Sequence, residues 1–243
     1  MSTSHMPSAH EAGGNTPAFR NVFITGGGSG LGAALAQALT RLDWNVAIAG
    51  RRSERLQEVS DRTGAQAFVL DVSDAEAVEA AIDGFAPDAL VCCAAILGQG
   101  SVYGDLDAER FAEVHAINVS GTFNACRAAM RLWQARSIHG DIVNVSSLGG
   151  LRGMQRFPGF AAYASSKHAV IGLTEALAIE GKPYGIRVNA VAPGTMRTAM
   201  TQQLGLQPST TVEDVVPTIE FLLDRARSAP LNGTTVEIHC NDD

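Results

Sequence analysis

Long apolar runs, aromatic residues and basic charge are all scarce in this sequence of 243 residues. No apolar stretch approaches the roughly 20 residues that a membrane-spanning helix needs, so no membrane association is expected. Aromatic residues make up 6% of the chain, and the 46% of hydrophobic residues are mainly Ala, Val, Leu and Ile. The formal net charge of −7 argues against a protein that binds nucleic-acid backbones.

Cysteine is also sparse, and no CxxC pair occurs among Cys92, Cys93, Cys126 and Cys240. Because Cys92 and Cys93 are adjacent within an apolar run, we expect buried free thiols in a reducing cytoplasm. The tail at 239–243 carries potential metal ligands, but its pattern is that of a polar chain end, and we predict no metal site. Residues 1–18 are polar and predict a disordered leader or a remnant of expression cloning, which leaves 19–243 as one domain.

Strand-like and helix-like patterns alternate from residue 20 onward. Apolar runs predict strands at 21–25, 45–50, 65–71, 88–95, 141–146, 186–192 and 234–238. Helices are predicted from the glycine cluster to about Leu42, and at 53–63, 107–136, 160–181 and 211–225. A further helix is predicted to run to about Gly84, with Ser73 as its N-cap and Glu76 completing a capping box. This alternation predicts an α/β fold: a doubly wound, Rossmann-type parallel sheet of about seven strands with helices on both faces.

A glycine-rich segment, TGGGSGLG at 25–32, joins the first strand to the first helix. Glycines permit a sharp turn and a close backbone approach, and the helix N-terminus presents N–H groups to a pyrophosphate. The alternative is a tight strand–helix turn without a ligand. We predict that the segment binds a dinucleotide through Gly26, Gly28, Ser29, Gly30, Leu31 and Gly32.

The end of the second strand carries no carboxylate, which an NAD site normally uses to bind the ribose 2′-hydroxyl. Instead the chain reads Gly50-Arg51-Arg52. A guanidinium suits a 2′-phosphate, so Arg51 favours NADP, with NAD as the alternative. The two arginines could also simply solvate the start of a helix.

Tyr163 and Lys167 are four residues apart and share one face of the helix predicted at 160–181. The chain has three tyrosines and two lysines, so this pairing is notable. A fixed positive charge favours the phenolate, and we therefore predict that Lys167 lowers the pKa of Tyr163 and that the pair can exchange a proton near neutral pH. Two helix-face residues with no chemical role are the alternative.

Together these motifs resemble the short-chain dehydrogenase/reductase family over residues 20–238. The resemblance rests on TGGGSGLG at 25–32, Asp71-Val72, Asn118, Ser146-Ser147, YASSK at 163–167 and IRVNAVAPGTMRT at 186–198. It implies a single Rossmann-type domain that moves hydride between a nicotinamide cofactor and an alcohol or carbonyl substrate.

The resemblance also implies roles for particular residues. Tyr163 would be the acid in reduction and the base in oxidation, and Lys167 would hold the nicotinamide ribose. Ser147 would hydrogen-bond the substrate oxygen, with Ser146 as the alternative, and Asn118 would anchor a water that relays protons. Further cofactor contacts are expected from Asp71 and Val72 at the adenine, from the backbone of Ala94, and from Pro193, Gly194 and Thr198 at the nicotinamide.

Three departures from the family pattern bear on the site. Cys92-Cys93-Ala94-Ala95 stands where the family usually has Asn-Asn-Ala-Gly. The segment at 153–160 is slightly long, and the one between Thr198 and Thr211 is short. We therefore expect a reshaped substrate loop, a reduced lid and an open site for a substrate that is bulky or held by a partner chain.

Small residues along the helix at 160–181 predict close packing against a second copy, and hence a homo-oligomer, a dimer or a tetramer. The predicted partner is otherwise a small, mainly apolar alcohol or carbonyl compound. Two other functions stay open. One is a dinucleotide-binding regulatory protein that has lost catalysis, and the other is a sugar-nucleotide epimerase or dehydratase.

Overall fold

The computed structural model of the protein describes residues 20–153 and 157–240. The leader predicted at 1–18 and tail residues 241–243 lie outside this part of the chain. So do residues 154–156 of the loop predicted to be reshaped. None of the helices in the described residues is both long and apolar enough to cross a bilayer.

Within the described residues, seven strands form one parallel sheet, and this confirms the predicted doubly wound fold. The strands are β1 (Asn21–Thr25), β2 (Asn45–Gly50), β3 (Gln66–Val69), β4 (Ala89–Cys92), β5 (Asp141–Val145), β6 (Arg187–Pro193) and β7 (Thr235–Ile238). Their order in the sheet is β3-β2-β1-β4-β5-β6-β7. The order reverses between β1 and β4, which places the ligand crevice at the carboxyl ends of these strands.

Helices cover both faces of the sheet. They are α1 (Gly30–Arg41), α2 (Ser53–Thr63), α3 (Ala75–Phe85), α4 (Ala108–His115), α5 (Gly121–Arg136), α6 (Ala161–Gly181), α7 (Ala199–Gln203), α8 (Val216–Leu223) and α9 (Arg225–Ser228). Successive strand residues point to opposite faces, so Phe23 packs into one core with Trp133, while Ile24 packs into the other with Leu35.

Several local predictions differ from the structure. The strands predicted at 65–71 and 88–95 are shorter, at Gln66–Val69 and Ala89–Cys92. A π-helical segment, Ala116–Ser120, interrupts the single helix predicted at 107–136. The helix predicted at 211–225 is shorter and is followed by a separate turn of helix, α9. The N-cap of α3 is Asp74, whose carboxylate accepts from the backbone N–H groups of Glu76 and Ala77, because Ser73 instead donates its hydroxyl to Asp71 at 2.7 Å.

Candidate active site

A cavity of about 1270 Å³ opens where the carboxyl ends of the strands meet. The predicted cofactor-binding residues all line it: Gly26, Gly28, Ser29, Gly30, Leu31, Gly32, Arg51, Asp71, Val72, Ala94, Tyr163, Lys167, Pro193, Gly194 and Thr198. Ser147 also lines it, but Asn118 does not. A cavity of this size has room for a dinucleotide together with a small substrate.

The glycine-rich loop packs closely against the end of β4. Gly26 has φ +69°, and a Cβ atom there would lie 2.7 Å from the backbone N of Ala94. Gly30, with φ +54°, begins α1. In the described residues Ser29 gives α1 no side-chain cap, since its hydroxyl accepts from Arg52 Nη2 at 3.0 Å. The first amides of α1 therefore face no competition from Ser29, and the loop fits a pyrophosphate.

Three arginines, Arg51, Arg52 and Arg55, line the cavity beyond the end of β2. Arg51 Nη1 lies 3.6 Å from a carboxylate oxygen of Asp71. Burial alone would raise the pKa of Asp71, but hydrogen bonds from Ser73 and the charge of Arg51 together bring it below its ordinary value. Arg51 is thus paired with a carboxylate, whereas Arg52 contacts the neutral Ser29, a difference that the sequence did not reveal.

The two serines after β5 have different partners. Ser147 has an extended backbone, accepts from the N–H of Gly149 at 3.1 Å, and lies close enough to the Tyr163 phenol to lower its pKa. Ser146 donates its hydroxyl to the carbonyl oxygen of Lys167 at 2.8 Å. Because neighbouring residues of an extended chain point in opposite directions, one serine meets the tyrosine and the other meets the helix backbone.

The prediction that Lys167 lowers the pKa of Tyr163 is wrong for this structure. The Tyr163 phenol is largely buried at the cavity, and this burial raises its pKa, partly offset by Ser147. The Lys167 ammonium lies 5.7 Å from the centre of the tyrosine ring and donates to the carbonyl oxygen of Val145 at 2.8 Å. Burial lowers the pKa of Lys167 to about 8. Loss of hydration is the main cause of both shifts, and the charge of Lys167 is not among the causes for Tyr163.

Asn118 lies in the π-helical segment behind the cavity wall and is fully buried. Its side-chain oxygen accepts from the N–H of Ile96 at 2.8 Å, and its Nδ2 donates to the carbonyl oxygen of Ile96 at 2.9 Å and to the Ser166 hydroxyl at 3.0 Å. The side chain therefore joins the loop after β4 to α6. The backbone carbonyl oxygen of Asn118 accepts from the hydroxyl of Thr122 at 2.8 Å.

The cysteines that replace the family's asparagines occupy different environments. Cys92 is buried, whereas Cys93 lines the cavity and donates its backbone N–H to the carbonyl oxygen of Thr25 at 3.2 Å. Burial raises the pKa of Cys93 to about 12, so its thiol is neutral at ordinary pH. All four cysteines are free, as expected, and the backbone of Ala94 keeps its place beside Gly26.

The end of the cavity formed by the loop after β4, the loop before α6 and the region of α7 is mainly apolar, and Gln99, Arg110 and Gln203 also line it. The segment between Thr198 and Thr211 contains one short helix, α7, which Thr198 caps through a reciprocal hydrogen-bond pair with Thr201. Apolar side chains from three loops line this end: Ile96, Val102, Tyr103, Phe157, Phe160, Met196, Met200, Leu204 and Leu206. Asp71 is the only carboxylate among the described residues that line the cavity, and it lies at the cofactor end.

This fold and cavity define a dinucleotide-binding oxidoreductase, and comparison with known proteins identifies its family. The family model for short chain dehydrogenases matches residues 20–209, and the chain belongs to this family. It is therefore an NAD(P)-dependent enzyme that transfers hydride between a nicotinamide cofactor and an alcohol or carbonyl substrate. Nothing in these comparisons supports a catalytically silent regulatory protein.

Three similar proteins illustrate the match. A 2,5-dichloro-2,5-cyclohexadiene-1,4-diol dehydrogenase from Sphingobium indicum is 35% identical over 203 residues, which cover 78% of this chain and 79% of the relative. A trans-4-hydroxycyclohexanecarboxylate dehydrogenase from Sinomonas cyclohexanicum is 37% identical, with 74% of each chain covered. The structure of ElxO with NADP bound has a TM-score of 0.80 and 30% identity, and the match covers 90% of this chain and 97% of ElxO.

Proposed function

We propose that this enzyme uses NADP to interconvert a secondary alcohol and a ketone on an apolar, ring-containing substrate. The observation that carries the proposal is that Ser147 and Tyr163, whose side chains interact, both line the cavity that the glycine-rich loop also lines. Two hydroxyls held together in this way can both reach one substrate oxygen. That is the geometry required for proton exchange with a carbonyl or alcohol.

Each polar side chain has a distinct role in the proposed reaction. The bound nicotinamide supplies hydride in reduction and accepts it in oxidation. In reduction Tyr163 gives its phenolic proton to the substrate oxygen, and in oxidation the phenolate takes that proton back. Ser147 donates a hydrogen bond to the same oxygen and stabilises the charge that develops there. Lys167 provides a positive charge on the cavity wall and would hold the nicotinamide ribose.

Asn118 supports this arrangement from behind the wall. Its side chain holds the loop after β4 against α6, the helix that carries Tyr163 and Lys167. We propose that any water in a proton relay binds the backbone carbonyl oxygen of Asn118, which also accepts from the Thr122 hydroxyl. Pro193, Gly194 and Thr198 would contact the nicotinamide end, and Asp71 and Val72 would border the adenine.

The preference for NADP is supported by charge at the end of β2. Arg51, Arg52 and Arg55 line the cavity where a 2′-phosphate would lie, and the strand end carries no carboxylate that would repel it. ElxO, which shares this fold, has been solved with NADP bound. NAD is the alternative cofactor.

The substrate class is supported by the apolar side chains of the lid and loops. Phe157, Phe160, Met196 and Met200 can cover a hydrophobic ring and expel water from it. Two of the relatives carry names that denote a hydroxyl group on a six-membered carbon ring. We therefore expect cyclic ketones to be reduced faster than short open-chain ketones.

The direct test is NADPH oxidation with cyclic ketones, open-chain ketones and 3-oxoacyl thioesters. Wild-type protein should reduce at least one cyclic ketone, and Tyr163→Phe should lower kcat by about 10²-fold or more while it still binds NADPH. Unchanged turnover in Tyr163→Phe would refute the proposed chemistry. Faster turnover of thioesters or open-chain ketones would refute the substrate class alone.

We also propose that the protein is a homo-oligomer that packs through α6. The outer face of α6 exposes small residues, including Ser165 and Gly172, and an Ile179 side chain that is 75% exposed. Phe111 and Phe123 are exposed on the neighbouring α4 and α5. Light scattering should give a dimer or tetramer, and Ile179→Glu should dissociate it more than the control Leu42→Glu on the end of α1. A monomeric wild type would contradict this.

A cytoplasmic location is the last part of the proposal. It is supported by the four free cysteines of the described residues, because paired thiols are typical of oxidising compartments. Cell fractionation with a reductase of known location as a marker would test it.

A further inference from the structure

His168 follows Lys167 on α6 and reaches across to the turn that begins after Ser147. Its Nδ1 donates to the carbonyl oxygen of Gly150 at 2.7 Å. Gly150 ends the short 3-10 turn Leu148–Gly150, and its own N–H donates to the carbonyl oxygen of Ser147 at 2.8 Å. His168 therefore holds the far end of a turn whose near end carries the Ser147 hydroxyl.

The turn lies directly against α6. A Cβ atom at Gly150 would come within 2.7 Å of the carbonyl carbon of Lys167, so a larger residue would push the turn away. Inside α6 the backbone N–H groups are engaged in the helix itself and cannot serve the Gly150 carbonyl oxygen. A side chain from the helix must supply that donor, and His168 does so.

Tyr163 lies five residues before His168 on the same helix. The distance between its phenol and the Ser147 hydroxyl thus depends on how the turn is held against α6. We propose that His168 is a positioning residue, which sets this distance without touching substrate or cofactor. His168 is not among the described residues that line the cavity, and it is exposed at the surface of α6.

The inference rests on the proposed roles of Ser147 and Tyr163, and three variants test it. In His168→Asn the side-chain amide can stand where Nδ1 stands and keep the donor. His168→Gln places its amide closer to the position of Nε2, and His168→Ala has no donor. We expect kcat within about twofold of wild type for His168→Asn and about three- to tenfold lower for the other two, as for the loss of one hydrogen bond. NADPH affinity should be unchanged in all three.

The pH profile separates positioning from general loss of stability. The Ser147 hydrogen bond lowers the pKa of Tyr163, so a loosened turn should raise the apparent pKa of alcohol oxidation. That rise should occur in His168→Ala and His168→Gln and be absent in His168→Asn. The matched control is His115→Ala, because His115 binds Ser165 of α6 at 2.9 Å and does not touch the turn. An equal rise in the control, or none in His168→Ala, would overturn the inference.

A second measurement does not depend on turnover. Hydrogen exchange of the Gly149 and Gly150 amides should accelerate in His168→Ala and stay slow in His168→Asn, since both amides bond within the turn. If wild-type protein reduces no ketone, the proposed function fails, but the exchange result still decides whether His168 holds the turn. Unchanged exchange in an active His168→Ala would overturn the role of His168 and leave the proposed function intact.

Discussion

The ammonium of Lys167 donates a hydrogen bond to the carbonyl oxygen of Val145 at 2.8 Å, at the end of the strand that leads to Ser147. The charge of Lys167 is therefore held by the sheet rather than directly at the Tyr163 oxygen. Both groups are shielded from bulk water by protein, which shifts both pKa values toward the neutral forms: that of Lys167 down to about 8 and that of Tyr163 upward.

The lowered pKa of Lys167 predicts a pH dependence of stability. The unfolded chain binds more protons than the folded chain between about pH 8 and the ordinary Lys pKa of 10.5, so the free energy of unfolding should rise with pH in that window. The variant Lys167→Met removes this contribution to the pH dependence of stability. Relative to that variant, the wild type should gain about 1 kcal/mol between about pH 7 and about pH 9, measured by urea unfolding without cofactor. If the difference in free energy of unfolding between the wild type and Lys167→Met did not change with pH, the burial of this ammonium would be contradicted.

Loss of the Ser147 hydroxyl should change both the rate and the pH profile. Ser147→Ala removes the hydrogen bond that lowers the pKa of Tyr163, so the apparent pKa of alcohol oxidation should rise. It also removes a donor to the substrate oxygen, and kcat/KM should fall by about 10²-fold. Steady-state kinetics across pH would show both effects. If Ser146→Ala produced the pKa change instead, the other serine would be the functional one.

The glycine-rich loop should be intolerant of even one methyl group. Gly26→Ala would place Cβ at 2.7 Å from the Ala94 nitrogen and would strain a residue with φ +69°. We expect dinucleotide affinity to fall by about tenfold or more, together with a loss of about 1–2 kcal/mol of stability.

Gly64→Ala is the matched control for Gly26→Ala. Gly64 has a similar φ of +74°, but nothing lies within 4 Å of the added Cβ. It should show the conformational strain without the loss of affinity. Calorimetric titration with NADPH and thermal unfolding of both variants would separate the two effects, and equal affinities would argue against close approach of the ligand at Gly26.

The two arginines after β2 should not contribute equally to cofactor choice. Arg51 is paired with Asp71, whereas Arg52 contacts the neutral Ser29 and can turn to a phosphate at lower cost. Arg52→Ala should therefore weaken NADPH binding by about tenfold, more than Arg51→Ala, and should affect NADH less. Arg62→Ala on the outer face of α2 is the control. Equal losses for NADPH and NADH would count against recognition of a 2′-phosphate.

Much of the fold was open to prediction because it depends on local patterns. The bounds of β1, β2 and α2 agree with their apolar runs and helical spacing, and a glycine cluster between a strand and a helix predicts a phosphate-binding turn. The predicted bounds of an element were wrong where a hydrogen bond to a neighbouring side chain determines where the element begins. Ser73 could have capped α3, but the nearby Asp71 carboxylate takes its hydroxyl and leaves the cap to Asp74.

Sequence by itself determined the class of enzyme and the residue types that meet at the strand ends, since spacing within a helix or strand sets which side chains share a face. Tertiary structure alone decided what those side chains do to one another. The loss of water around Tyr163 raises its pKa, and Asn118 lies behind the cavity wall with its side chain already bonded. The hydration and the hydrogen-bond partners of these side chains depend on segments that are far apart in the sequence. They therefore cannot be predicted from local spacing.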